Sequence, residues 1–447
     1  MKRHPGSRVR SRILTAVAAA AASVLVLSGC AVGNGGSSSD GGPQLSKKPV
    51  TISLNWWGAG ARVTATQDAV KLFEKAHPNI TVKLQSTDWG SYWDKLATTV
   101  AGGNAPDVMQ FDQLYVASYA QRGAIADLST YSKYLDTSSL SKNVLATGEY
   151  DGKLYAVPIG LNSMGVAVNR TILDKYGVEL PDGKSWTWND LNRVATEITE
   201  KSDGKVKGLD PFGGDTPSLT LWARQHGNQL FDQKGNVVLK PSMLAGYWQY
   251  ALDQIKSGVT PSASQLAEGA TGNLDQSDLA TGKVAMTFLP SNLTAFQVAA
   301  PTQKLDMLPF PSAADAKKGW QYLKSSMYWT ISSRSKHPAE AAELVDFLTT
   351  DPQVGKLFGA ERGMPANPKF QKLIAPDLSG SDKIVMNYIK QVTSESGTPA
   401  PVTPVGGQDA DTLLNQLWQN VQFGKTTPHD AAVQYITQLK KEIAAAK

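Results

Sequence analysis

Three short segments of the chain combine aromatic with charged side chains. They are WWGAGAR at 56–62, TDWG at 87–90 and DQLY at 112–115. An aromatic ring offers a flat apolar face, while a carboxylate or guanidinium offers strong charge-assisted hydrogen bonds. Such a combination suits the non-covalent binding of a small polar molecule.

Sequence motifs for phosphate binding or covalent catalysis are missing. The GKS at 183–185 and the GKT at 424–426 lack the earlier glycine of a phosphate-binding loop, because Val178 and Gln419 occupy that position. No Gly-x-Ser-x-Gly nucleophile motif occurs. The histidines that follow Cys30 are His77, His226, His337 and His429. They are far apart in sequence, so no zinc-type cluster is indicated.

The charge balance argues against a nucleic-acid partner. Of the 44 basic residues, Lys2, Arg3, Arg8, Arg10 and Arg12 lie near the N-terminus, which leaves 39 against 39 acidic residues. The chain beyond these five residues has no net formal charge, so it lacks the excess of basic residues that is typical of nucleic-acid-binding proteins. With 447 residues, 41% of them hydrophobic, the chain can form a large core divided into two or more lobes.

The N-terminus has the pattern of an export signal. A basic stretch to Arg12 precedes an apolar stretch at 13–27, which is short for a membrane span, and then Ser28-Gly29-Cys30. LSGC resembles the bacterial lipobox, which predicts a lipoprotein signal peptide at 1–29, a lipidated Cys30 and a flexible Gly/Ser-rich tether at 30–49. The alternative is an ordinary secretory signal. Cys30 is the only cysteine, so disulfides and thiol chemistry are excluded from the folded part.

The segments that follow the tether alternate between strand and helix patterns. Strands are predicted at 50–55, 80–85 and 108–111, and helices at 64–76 and from Ser91, as a possible cap, to 101. This alternation is typical of parallel α/β units, in which ligands bind beyond the carboxyl ends of the strands. The three aromatic and charged segments fall at those ends.

Some of the aromatic residues are expected to be core residues. Trp93 lies on a predicted helix, and either Trp56 or Trp57 must point inward if the strand alternates. The pair Trp186 and Trp188 is interpreted as structural, at the start of a helix capped by Thr187 or Asn189. Further helices are predicted at 338–349 and 428–446, and strands at 284–288 and 327–332.

The segment from Asp88 to Ser129, DWGSYWDKLATTVAGGNAPDVMQFDQLYVASYAQRGAIADLS, resembles the signature region of bacterial extracellular sugar-binding proteins, the maltose-binding-like components of ABC importers. The resemblance continues in order through YAVPIG at 155–160, VNR at 168–170, GKVAM at 282–286, SKHP at 335–338, DFL at 346–348 and RGMP at 362–365. It therefore covers nearly everything after Val50.

The resemblance implies an α/β fold of the two-lobe periplasmic-binding-protein type, with a three-crossing hinge and a ligand cleft between the lobes. The order of motifs places the crossings near 160–165, 308–311 and 363–367. The first lobe is then expected to hold 50–163 and 310–365. The second lobe is expected to hold 164–309 and 366–447.

The resemblance also implies ligand-binding residues, since sugar rings stack on aromatic side chains and sugar hydroxyls bond to polar ones. The stacking candidates of the first lobe are Trp57, Trp89 and Tyr115, and its polar candidates are Asp88, Asp112 and Arg62. The hinge and second lobe add Asn162, Asp215, Trp222, Asn292 and Arg362. Asn292 stands where maltose-binding members have an aromatic residue, which speaks against a maltose-type ligand.

Three of these candidates have structural alternatives. Trp222 fits the core of an amphipathic helix, and Asn162 fits a strand-end hydrogen-bonding residue. Arg62 could pair with a carboxylate on the first helix. If Arg62 faces the cleft instead, an acidic sugar becomes plausible.

The function implied is that of a non-enzymatic receptor for a sugar or oligosaccharide. It would be a monomer without metal or cofactor, anchored by lipid on the extracellular face of the cytoplasmic membrane, and its partners would be ABC permease subunits. One alternative is a secreted carbohydrate-active lipoprotein enzyme that uses Asp88 and either Asp112 or Asp215 as an acid/base pair. Another is the same fold with a polyol, peptide or glycerol phosphodiester ligand.

Overall fold

A computed structural model describes residues 43–181, 186–265, 276–291 and 301–446. The strands are β1 Val50–Trp57, β2 Ile80–Thr87, β3 Val108–Phe111, β4 Glu149–Tyr150, β5 Lys153–Leu154, β6 Val157–Asn162, β7 Met164–Asn169, β8 Met286–Pro290, β9 Leu305–Pro309, β10 Lys324–Ile331 and β11 Met364–Pro365.

The helices up to the second gap are α1 Ala61–Ala76, α2 Trp89–Ala101, α3 Gln113–Gln121, α4 Lys142–Leu145, α5 Arg170–Tyr176, α6 Trp188–Lys201, α7 Thr216–Gln225 and α8 Pro241–Lys256. Those after it are α9 Pro338–Thr350, α10 Pro352–Phe358, α11 Pro368–Ile374, α12 Gly380–Glu395, α13 Ala410–Gln422 and α14 Pro428–Ala445.

Within the described ranges, the larger sheet has six strands in the order β11-β6-β10-β3-β1-β2. Strand β1 is parallel to both β2 and β3, whereas β10 runs antiparallel between β3 and β6. Alternate β1 residues such as Ile52 and Leu54 are buried in one core cluster with Val70 and Phe73 of α1. Because β1, β2 and β3 are parallel, the loops that follow them meet at one edge of this sheet.

The smaller sheet has the order β8-β7-β9 and is antiparallel, again within the described residues. Every residue of β7 is buried. Helix α6 begins with a reciprocal capping box, in which Thr187 accepts from the amide of Asp190 and the Asp190 carboxylate accepts from Thr187. Trp186 and Trp188 are buried, and both belong to the core cluster of this sheet, as expected for a structural pair.

The chain passes from one sheet to the other at two closely packed places. Strand β6 of the larger sheet leads into β7 of the smaller one through the single residue Ser163, and β9 leads back to β10 through the segment 310–323. Gln321 Nε2 donates to Ser163 Oγ over 2.8 Å and to the Met164 carbonyl over 2.9 Å. The two connections are therefore hydrogen-bonded to each other.

Beyond β11, the chain first stays near the larger sheet. Ala366 and Ile374, at the start and end of this stretch, lie in the core cluster of that sheet. Helix α12 then adds Tyr388, whose hydroxyl donates to the Met164 carbonyl. Helices α13 and α14 pack in the core cluster of the smaller sheet, through residues such as Trp418 and Tyr435. The assignment of whole segments to lobes stays a prediction.

Two local expectations need correction. The helix expected to be capped by Ser91 begins at Trp89, and its cap is Asp88, whose carboxylate accepts from the Ser91 amide. Both Trp56 and Trp57 are buried, although alternation predicted that only one would be. The reason is that aromatic side chains of α2 cover the second face of β1. None of the described helices is long and apolar enough to cross a lipid bilayer.

Candidate functional site

An aromatic cluster lies where β1 ends and α2 begins. The ring centroids of Trp57 and Trp89 are 4.9 Å apart in an edge-on arrangement, and Trp93 lies 5.5 Å from Trp89. Trp93 stacks on Tyr115 of α3 at 3.8 Å, with an angle of 25° between the rings. Trp57 and Trp93 are only 7% and 8% exposed, whereas Trp89 is 44% exposed. The Trp89 ring is therefore exposed to solvent and packs on the buried rings of Trp57 and Trp93.

Three predicted acidic site residues are the N-terminal caps of helices. Asp88 Oδ1 accepts from the Ser91 amide at 2.9 Å, Asp112 Oδ1 from the Leu114 amide at 2.9 Å, and Asp215 Oδ1 from the Ser218 amide at 2.7 Å. Each carboxylate satisfies an amide that would otherwise lack a partner at the helix start. Capping explains why an aspartate stands before each of these helices. Asp112 Oδ2 accepts no hydrogen bond from the described residues, so it remains available to a ligand.

The environments of these carboxylates differ. Hydrogen bonds from Ser91 lower the pKa of the exposed Asp88. Burial raises the pKa of Asp215 to about 6, and the nearby charge of Asp411 adds to that rise. Burial also raises the pKa of Tyr115, as do the charges of Asp112 and of Asp409, which precedes α13. The charge of Asp409 therefore acts on one ring of the aromatic cluster.

A cavity of about 210 Å³, here called the connection cavity, lies between the two sheets at Ser163. Its described walls are Asp112, Asn162, Ser163, Met164, Pro217, Pro290, Tyr322, Lys324 and Ser326. Asp112 and Ser326 come from the larger sheet and its loops, whereas Met164 and Pro290 pair in the smaller sheet. A second cavity of about 90 Å³, the α7 cavity, shares Pro217, Tyr322 and Lys324 with the first and extends along α7.

Arg62 and Arg362 are engaged with other protein groups. Arg62 Nε lies 2.8 Å from Glu361 Oε2. Arg362 is buried, donates to Thr66 Oγ1 over 2.6 Å, and holds its guanidinium carbon 4.4 Å from the Phe358 ring centroid. Burial lowers the pKa of Arg362 to about 9, and the charge of Arg62 also lowers it. The structure does not bring either arginine to the walls of these two cavities.

Trp222 lies in a second aromatic cluster. Its ring is 5.0 Å from that of Trp188 and 5.3 Å from that of Tyr250. It is half-buried and packs against the core of the smaller sheet. Trp222 therefore packs as expected for a core residue of an amphipathic helix. It is not among the described walls of either cavity.

Comparison with known proteins identifies the family. A family model described as "Bacterial extracellular solute-binding protein" matches residues 59–355, about two thirds of the chain. The chain belongs to this family.

Relatives of this extracellular solute-binding protein extend the match beyond that region. A Streptomyces antibioticus protein named "Uncharacterized lipoprotein in oleD 5'region" is 26% identical over 76% of this chain and 73% of its own. The "Melibiose/raffinose/stachyose-binding protein MelE" of Bacillus subtilis (strain 168) is 28% identical over 51% of this chain and 50% of its own. The solved structure of an "Extracellular solute-binding protein family 1" from Alicyclobacillus acidocaldarius has 28% identity and a TM-score of 0.72. It covers 89% of this chain and 99% of its own.

These matches confirm the two-lobe periplasmic-binding-protein fold and a substrate-binding role for this extracellular solute-binding protein. The family and its relatives are binding proteins rather than enzymes. No group of three or more metal-ligating side chains that could hold an ion occurs among the residues described. Asn292 and Cys30 lie outside the described residues.

Several cavity residues of the solute-binding protein, among them Tyr322 and Lys324, carry no sequence signal that marks them as site residues. A lysine before a predicted strand has no local feature that separates it from a surface lysine. Its position follows from the pairing of β10 with β6, which sets Lys324 opposite Asn162. That pairing joins segments that are distant in sequence, and only the fold reveals it.

Proposed function

We propose that this chain is the ligand receptor of an ABC importer, which captures a sugar or oligosaccharide between its lobes and delivers it to a membrane permease. The observation that carries the proposal is the connection cavity, whose walls come from both sheets. A ligand that touches both sides favours the closed arrangement over an open one. Closure then signals the loaded state to the permease.

The chemistry near the cavity suits a sugar. Asp112, Asn162, Ser163 and Lys324 supply charged and neutral polar groups for hydroxyls. Tyr115 lies on the helix that Asp112 caps, and through Trp93 it links the cavity wall to the exposed Trp89. Neither ring is among the described cavity walls, but both offer aromatic faces beside the cavity for the apolar side of a sugar ring. The name of MelE, which specifies three oligosaccharides, supports this ligand class.

The enclosed volume suits a small ligand unit. Cavities of 210 and 90 Å³ together lie at the low end of the range of about 300–1,000 Å³ typical of ligand pockets. The enclosed part would therefore hold one or two sugar units, and any further units would extend outside it.

We also propose that Cys30 carries the lipid that holds the receptor at the extracellular face of the cytoplasmic membrane. The lipobox-like LSGC and the Gly/Ser-rich tether support this anchor. The name of the Streptomyces antibioticus relative, a lipoprotein, agrees with it. Mass spectrometry of the protein from a bacterial membrane tests the proposal, and a chain that still begins at Met1 would contradict it.

A thermal-unfolding panel tests the ligand class. The full chain, purified in detergent, is heated with mono-, di- and oligosaccharides, uronic acids, polyols, phosphodiesters and peptides. A ligand at one hundred times its dissociation constant adds about 2.7 kcal/mol to the free energy of unfolding, which shifts the midpoint visibly. A shift with a sugar is expected. A shift only with a polyol, peptide or phosphodiester, or turnover of a glycoside, would contradict the proposal.

A further inference from the structure

Lys324 lies in the wall of both cavities and has no ion-pair partner within the part of the chain that the structure describes. Its side chain is half-buried at the start of β10. Among the described residues, no carboxylate lies within ion-pair distance of Lys324 Nζ, although such pairs occur elsewhere, as between Arg170 and Asp306 at 2.9 Å. A partly buried charge without a counter-ion loses hydration and gains no ion pair in return.

A second cation lines the α7 cavity. Arg224 Nη2 donates to the carbonyls of Gly319 at 3.2 Å and Thr398 at 2.8 Å, and its guanidinium carbon lies 5.1 Å from the centroid of the Tyr322 ring. These contacts fix the guanidinium but do not neutralise it. Burial lowers the pKa of Arg224, as expected for a cation that lacks a carboxylate partner.

Among the described walls of the two cavities, carboxylates occur only in the connection cavity. Asp112 is the only carboxylate among the described walls of that cavity, and the described walls of the α7 cavity contain none. Across the two cavities the walls therefore carry two cations and one anion. One negative charge on a ligand would balance them.

We infer that the ligand is a sugar acid, whose carboxylate binds between Lys324 and Arg224 in the α7 cavity while its ring occupies the connection cavity beside Asp112. This inference rests on the proposed function. A guanidinium and an ammonium both form charge-assisted hydrogen bonds to a carboxylate. The walls of the two cavities carry one positive charge in excess, which a single carboxylate would neutralise. A phosphate dianion would leave one negative charge in excess. Arg62, the cation that the sequence suggested for an acidic sugar, is paired with Glu361 instead.

Matched ligands separate the carboxylate from the ring. Dissociation constants are measured by calorimetry on the full chain for glucuronate and galacturonate, for their methyl esters, for glucose and galactose, and for the corresponding sugar phosphates. The free acid of one uronate is expected to bind about ten- to a hundredfold more tightly than its ester. Equal binding of acid and ester, or tighter binding of a phosphate, would overturn the inference.

The variants then test the two cations. Lys324→Gln should abolish the preference for the acid over the ester, and Arg224→Gln should reduce it. Lys356→Gln serves as the matched control, because Lys356 is exposed on α10 and lines neither cavity. Lys324 Nζ makes no hydrogen bond or ion pair among the described residues, so its replacement should not lower the unliganded unfolding midpoint. A preference that survives Lys324→Gln would overturn the assignment.

The two proposals fail in different ways. If neutral sugars bind as well as the acids, the sugar receptor stands and the carboxylate site is rejected. If no carbohydrate binds, whether neutral or acidic, the proposed function itself is rejected.

Discussion

The hydroxyl of Tyr388 on α12 donates a hydrogen bond to the carbonyl of Met164, the first residue of β7. The same carbonyl accepts from Gln321 Nε2 at 2.9 Å. Because Met164 directly follows the Ser163 connection, a helix and both connections between the sheets meet at this carbonyl. The close packing there leaves no room for a side chain at Gly165, where a Cβ would lie 2.8 Å from the Tyr388 hydroxyl and 2.7 Å from the Leu308 carbonyl.

Gly165→Ala is expected to destabilise the protein. The added methyl group must displace the backbone of β9 or break the Tyr388 bond, which costs about 1–3 kcal/mol for overpacking. The free energy of unfolding is measured by denaturant titration. Gly246→Ala, in the exposed part of α8, is the control, because a Cβ there meets nothing within 4 Å and alanine favours a helix by about 0.5–1 kcal/mol. Equal stability changes in the two variants would contradict the expectation.

Trp89→Ala is expected to weaken ligand binding about tenfold or more without a large loss of stability. Trp89 is 44% exposed, so its removal opens little of the core, but it removes the solvent-facing ring of the aromatic cluster. Trp93→Ala is the contrasting variant, since Trp93 is 8% exposed and its loss should cost about 3–5 kcal/mol of unfolding free energy. Calorimetric titration and thermal unfolding separate the two effects. Unchanged affinity in the Trp89 variant would reject its role in binding.

The sequence predicts the fold far better than the site. The strand pattern at 108–111 matches β3 residue for residue, because a short apolar run after Pro106-Asp107 has one reasonable interpretation. Helix α1, expected from 64, begins at Ala61, since the Gly58–Gly60 loop turns earlier than the apolar spacing indicates. Local patterns thus place the elements and leave their ends approximate.

Site residues depend on contacts that sequence spacing does not encode. Trp57 and Trp89 both follow predicted strands, and the sequence does not show which of them is exposed. The packing of α2 on β1 buries Trp57 beneath Trp89. Arg62 is paired with Glu361, which lies in a distant part of the sequence. Lys324 enters the cavity through a strand pairing that is also long-range. Local sequence patterns do not encode these distant contacts.

Arg62→Gln is expected to leave ligand affinity within about twofold of the native value. The Arg62 guanidinium is engaged by protein groups, since Nε lies 2.8 Å from Glu361 Oε2 and Nη2 donates to the Glu361 carbonyl over 3.2 Å. The affinity is measured by titration with the ligand of the panel that binds most tightly. A tenfold loss of affinity would show that Arg62 belongs to the binding site.

Glu361→Gln is expected to destabilise the protein by about 1–2 kcal/mol. Among the described residues, Glu361 is the carboxylate within ion-pair distance of the buried Arg362, with Oε2 at 3.9 Å from Arg362 Nη1. Its neutralisation leaves Arg62 and Arg362 in mutual repulsion. The effect stays below that of a fully buried pair because a third of the Glu361 side chain is exposed. Denaturant titration measures the change, and Glu395→Gln, at the exposed end of α12, is the control. A loss no larger than that of the control would show that the arginines need no counter-charge.

Asp215 is expected to make the protein less stable as pH rises from about 4 to about 6. Burial raises its pKa from 3.8 to about 6 in the folded state, so in this window the folded protein binds more protons than the unfolded chain. Stability therefore falls as Asp215 ionises, by at most about 3 kcal/mol for a shift of this size.

Asp215→Asn isolates this titration, because it removes the ionising group but keeps an oxygen that can accept from the Ser218 amide at the start of α7. The difference in unfolding free energy between variant and native protein, measured at half-unit steps of pH, should grow in favour of the variant across the same window. Asp377→Asn, at an exposed carboxylate, should run parallel to the native protein. A native stability curve parallel to that of the variant would show that Asp215 is already ionised in the folded protein at the acidic end of the window.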